Sequence, residues 1–166
     1  MAKSTFFLCF CMVLSAASTT GTRGLRPHAS RADYAVTCFT EDIGVGATLV
    51  KPEVVLRLFG EEIHRNYLVV EVGFYSKNRS VFEVRHADFR LRNRPSRKLV
   101  NPADPEVIAS TLSTPATWID KTLPQVPTSQ AVAGYLFFPI TEASASGYEL
   151  DYTGYGAWLT LPLRLE

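Results

Sequence analysis

The 166-residue chain has no apolar run that reaches the roughly 18 to 20 residues a membrane-crossing helix needs, only three cysteines and three histidines, and a formal net charge of +1. Near-neutral charge excludes the overall basicity expected of a dedicated nucleic-acid binder. His28, His64 and His86 are scattered, and none stands at ligand spacing from another histidine or a cysteine, so zinc-finger and zinc-ribbon chemistry is excluded. GxSxG, HExxH and a phosphate-cradling glycine loop are all missing. No nucleophile paired with a base, cofactor motif or metal set can be picked out, and an enzyme is not expected.

What is there is a hydrophobic content of 46% with 20% charged residues, enough for one domain with a proper core. The opening "MAKSTFFLCFCMVLSAASTT" places Lys3 before an apolar run, Phe6 to Leu14, and small residues after it. That order is the pattern of a signal peptide over residues 1–17, cut after Ala17 or Ser18, and it predicts export to the periplasm or beyond. Two of the cysteines lie in that run, so the mature chain keeps only Cys38 and has no internal disulfide. Cys38 shares a strand face with Val36 in "DYAVTCFT", which reads as a small buried hydrophobe rather than a reactive thiol. Residues 18–31, small and basic, read as a flexible leader, and residues 32–166 as the single folded domain.

Within that domain, Pro52 and Glu53 suit a first helical turn, and Val55, Phe59 and Ile63 recur four apart, which predicts one short helix weakened at Gly60. "NYLVVEVGFYSKNRSVFEVRHADFRLRN" reads as a hairpin: Leu68, Val70, Val72 and Phe74 alternate, "SKNRS" turns, and Phe82 and Val84 resume the pattern. Asn78 is the expected turn residue rather than a glycosylation acceptor. Phe89 and Leu91 fall out of phase with Phe82 and Val84, so a bulge or bend is expected at His86-Ala87-Asp88, where a strand passes between sheets. Six prolines between Arg92 and Gln130 predict a long decorated connection with one or two helical turns in "DPEVIASTL". "AVAGYLFFP", "YELDY" and "AWLTLPL" then read as strands, with Leu136 and Phe138 in the core and Thr160 facing away from it. The result is an all-β fold with one or two short helices in its connections, a sandwich rather than a doubly wound sheet.

The "ADFRL" strand, the later "GYLFF" strand, "YELDY" and the last strand "AWLTLPL" together resemble a family of bacterial exported proteins, many of them lipoproteins or small secreted antigens, that carries a domain-of-unknown-function label. The resemblance covers about Tyr34 to Leu165 and rests mainly on strand patterning. It implies an immunoglobulin-like β-sandwich and an envelope setting. The helix around Val54 to Ile63 and the missing lipid-anchoring cysteine depart from the family pattern.

Two features are candidates for binding. The run "RHADFRLRNRPSRK" carries Arg90, Arg92, Arg94, Arg97 and Lys98, either a patch for an anionic partner or a strand edge guarded by charge against unwanted pairing. In "YELDYTGYGAW", alternation buries Tyr148 and Tyr152 and leaves Tyr155 and Trp158 as exposed contacts. Glu149 and Asp151 share a strand face, which reads as a solvated carboxylate pair and not as an acid-base dyad. These readings converge on an exported, non-catalytic binding or accessory protein of the cell envelope, whose partner is an envelope protein, a glycan or an anionic polymer. The rival is a secreted enzyme or enzyme inhibitor acting through the Arg92 to Gln130 loop.

Overall fold

A computed structural model describes residues 23–113, 115–141 and 147–164; the expected signal peptide lies outside them. The described residues are mostly β with three short α-helices. In chain order the elements are β1 (Val36–Phe39), β2 (Ile43–Leu49), α1 (Pro52–Phe59), α2 (Glu61–Asn66), β3 (Tyr67–Ser76), β4 (Phe82–Glu83), β5 (Phe89–Asn93) and β6 (Leu99–Val100). They continue with α3 (Pro105–Thr111), β7 (Pro127–Thr128), β8 (Val132–Pro139), β9 (Tyr148–Tyr152) and β10 (Leu159–Leu163). Two four-stranded antiparallel sheets result, ordered β1-β2-β3-β8 and β10-β9-β5-β6, and β4 pairs with β7.

The two large sheets share one core. Val70, Val72 and Phe74 of β3, with Leu136 and Phe138 of β8, face Phe89 and Leu91 of β5 and Leu150 and Tyr152 of β9. The Phe74 ring lies 5.2 Å from that of Tyr152 and 5.7 Å from that of Phe89, both edge-on, which is how aromatic quadrupoles prefer to meet. A second core covers the opposite face of the first sheet, where Val69, Tyr135 and Phe137 pack on Val55, Phe59, Ile63, Ile108 and Trp118. Because β3 is buried on both faces there, Val69 and Val70 are both inside, and strict alternation fails.

Several sequence expectations change. The expected helix is two helices, because Gly60 takes a φ of 87° between α1 and α2, yet Val55, Phe59 and Ile63 are all buried as their spacing predicts. The expected hairpin does not form: β3 pairs with β2 and β8, while β4 and β5 pair elsewhere, so the chain leaves one sheet after Ser76 and enters the other at Phe89. A one-turn 3-10 helix at His86–Asp88 makes the expected bend. Arg79, not Asn78, is the left-handed residue of the loop, with φ 54°. Residues 23–31 are not a free leader, since the Leu25 N–H donates to the Ala133 carbonyl and Gly24 to Asp120. The long connection covers the outer edge of β8: Ala103 and Leu123 donate to the carbonyls of Phe137 and Tyr135.

Candidate functional site

The residues with surplus polar chemistry gather on the outer face of the second sheet, and strand register puts them there. Leu150 and Tyr152 point into the core, so Glu149 and Asp151 point away from it. On β5, Arg90 stands opposite Asp151 and Arg92 opposite Glu149; on β10, Thr160 stands opposite Asp151 and Pro162 opposite Glu149. The cation run and the carboxylate pair therefore share one face, a meeting that reading each strand alone does not show.

The strand that carries the cations is an edge only in part. β5 lies between β9 and the short β6, so the guarded-edge reading is overturned at Arg92, where β6 pairs, but not at Arg90, which β6 does not reach. Arg92 is tied down instead. Its guanidinium donates to Asp151 and lies 4.0 Å from Glu149, while the Thr160 hydroxyl donates to the other Asp151 oxygen at 2.8 Å. Asp151 is only 3% exposed, and this pairing is what allows a carboxylate to be held there. The Arg92 Nε is buried without a partner.

The turn after β5 returns more charge to the same place. Arg97 adopts φ 60° and donates its N–H to the Asn93 carbonyl at 2.9 Å, and the Asn93 N–H donates to Lys98. The chain doubles back, bringing Arg94 Nε within 3.5 Å of Glu149 and an Arg97 nitrogen within 4.0 Å of the same carboxylate. Three guanidiniums thus converge on Glu149. Arg90 is exposed and makes no ion pair among the described residues, Arg97 keeps 67% of its side chain in solvent, and Lys98 is exposed.

Trp158 and Tyr155 lie in the β9–β10 connection beside this face. Trp158 is 74% exposed and directly precedes β10, whose Thr160 and Pro162 face solvent. Tyr155 is 46% exposed at φ 51°, next to Gly156 at 68°. The Thr153 N–H anchors the loop by donating to the Asp88 carbonyl at 2.8 Å.

Comparison with known proteins adds little at this point. No family model and no curated protein matches the chain. The crystal structure of a Bacillus subtilis protein, provisionally described as a lipoprotein, is similar at 19% identity and a TM-score of 0.47, over 76% of this chain and 37% of that one.

Beneath the aromatic loop is a cluster that sequence reasoning missed. Arg85 grips Asp88 with two nitrogens, at 3.2 and 3.1 Å, and the Tyr152 hydroxyl lies buried nearby without a hydrogen-bond partner. Burial, with the Asp88 carboxylate, pushes the Tyr152 hydroxyl up to about 12. The three-residue spacing of Arg85 and Asp88 was the only available signal.

A cavity of about 1140 Å³ lies elsewhere, between residues 23–27, the start of α3 and residues 122–133. Of its charged residues, Arg23 pairs with Glu106 at 3.0 Å and Asp104 caps α3 through the Glu106 N–H, while Arg26 lines it exposed. His86 lines it and donates from Nε2 to the Leu123 carbonyl at 2.6 Å, and burial lowers its pKa. His28 meets Glu71 at 3.1 Å, while Glu61 and Glu62 beside His64 go to Arg65 and Ser113. No group of three or more His, Cys, Asp or Glu among the described residues can hold a metal ion, and no described helix is long and apolar enough to cross a membrane. Cys38 is half-buried against the main core with Val36.

Proposed function

We propose that this is an exported, non-catalytic binding or accessory protein of the cell envelope, built on an immunoglobulin-like sandwich, that holds an anionic polymer on the outer face of β5, β9 and β10. Export is supported by the N-terminal run that ends in "SAAST". The sandwich is supported by two four-stranded antiparallel sheets around one core.

The observation that carries the binding reading is the convergence of Arg92, Arg94 and Arg97 on Glu149, with Arg90 opposite Asp151 on the same face. Four arginines face two carboxylates, and a guanidinium has five N–H donors. Two carboxylates cannot use that capacity, so donors and positive potential are left over for an incoming anion. Glu149 and Asp151 act as internal counter-ions that fix the arginines in place, which lowers the ordering cost of binding.

Retention on an immobilised acidic polymer across a salt series tests the reading. Native protein is retained at low salt and released as salt rises, whereas a variant carrying Arg90→Gln and Arg97→Gln is released earlier with an unchanged melting temperature. Equal retention of both proteins would sink the assignment of this face.

A further inference from the structure

Resting on that reading, we infer that the anionic polymer is an acidic glycan and that Trp158 supplies a stacking platform for its sugar rings. A bare polyanion needs cations alone, but this face carries more. An indole that is 74% exposed stands at the end of the same sheet face, with its β10 neighbours Thr160 and Pro162 also turned to solvent. Tyr155 joins it from the loop, in a left-handed conformation that a bulky residue adopts only at a cost. Backbone strain of this kind is kept where a side chain must be aimed, and here it leaves an aromatic ring 46% exposed to water in the loop that follows β9.

The register supplies the spacing. Trp158 precedes Thr160 by two residues, and Thr160, Asp151 and Arg90 lie in one cross-strand row. Adjacent strands are about 4.8 Å apart and alternate residues about 6.8 Å apart along a strand, and β9 lies between β10 and β5, so the backbone positions of Trp158 and Arg90 are separated by two strand spacings, about 9.6 Å, across the sheet and by about 6.8 Å along it. One ring of a sugar chain can stack on the indole while a carboxylate or sulfate further along reaches Arg90 and Arg97. Sugar rings present apolar C–H faces edged with hydroxyls, which suit an amphipathic platform set beside polar side chains. A phosphate chain has no such face. The Thr160 hydroxyl and the Arg92 guanidinium are both committed to Asp151, so discrimination falls to Trp158, Tyr155, Arg90 and Arg97.

The test compares three probes on the native protein and on Trp158→Ala: a uronic-acid oligosaccharide, a polyphosphate of matched charge and a neutral glucan of matched length. The uronic-acid oligosaccharide is expected to shift the exposed tryptophan emission, and Trp158→Ala to abolish that shift and weaken binding about tenfold. Polyphosphate affinity should stay within about twofold in the same variant. If both polyanions bind with equal affinity and Trp158→Ala changes neither, the glycan inference is overturned and the anion-binding face stands. If neither polyanion binds, the anion-binding reading fails, and with it the inference. Neutral glucan binding as tightly as the uronic-acid chain would overturn the role of charge in ligand choice.

Discussion

Gly46 of β2 and Gly73 of β3 are cross-strand partners, and the Tyr34 ring lies in the space where their side chains would be. A Cβ on either glycine would overlap the Tyr34 side chain. The ring also meets His28 edge-on at 4.7 Å, so the segment before β1 is fastened to the sheet through this trough. Burial drives the Tyr34 hydroxyl above its ordinary range.

Gly73→Ala is therefore expected to destabilise the protein by about 2 kcal/mol through overpacking, although alanine is the smallest possible addition. Combined with Tyr34→Ala, which empties the trough, the two changes should be strongly non-additive. Denaturant melts of the two single variants and the double variant measure this, and additive losses would mean that Tyr34 does not occupy the trough.

Arg92→Met should cost about 3 kcal/mol, because it leaves the nearly buried Asp151 carboxylate without its ion-pair partner. Phe138→Ala in the shared core should cost about 3 to 5 kcal/mol. Thr160→Ala, which the sequence pattern alone makes nearly silent, should instead cost about 1 kcal/mol, because its hydroxyl donates to Asp151. Thermal melts of the three variants rank them, and Arg92→Met melting like the native protein would contradict the pairing described here.

His86 gives a pH dependence. Burial lowers its pKa, against the opposing pull of the Leu123 carbonyl and Asp104, so the folded state favours the neutral ring. The unfolded chain binds a proton near 6.5 and the folded chain only at lower pH. The stabilisation is therefore present above about pH 6.5 and is lost as pH falls through the folded pKa. Melting temperatures from pH 7.5 to 5 should fall more steeply for native protein than for His86→Gln, and parallel curves would refute this contribution.

The strands that carry long apolar runs or clean alternation were legible in the sequence. β10 is the plainest case, with Leu159, Leu161 and Leu163 buried and Thr160 and Pro162 exposed. β2 was not legible, because Gly44 and Gly46 break the hydrophobic signal and serve packing against Arg31 and Tyr34, residues that lie outside the strand itself. The hairpin reading of β3 failed for a related reason: a turn signal says that the chain reverses, not which sheet it joins next. At the candidate site, the cations and the two exposed aromatics could be picked out residue by residue. Their convergence could not, since it depends on the β5–β9–β10 register, a long-range property that alternation on a single strand does not contain.

The most direct test of the account is a map of backbone amide shifts during titration with an acidic oligosaccharide. The account predicts that the perturbed amides cluster on residues 90–98, 149–151 and 155–162, with the β2–β3 face and the cavity beside residues 122–133 unchanged. Perturbations centred on that cavity, with the β5–β9–β10 face silent, would contradict it.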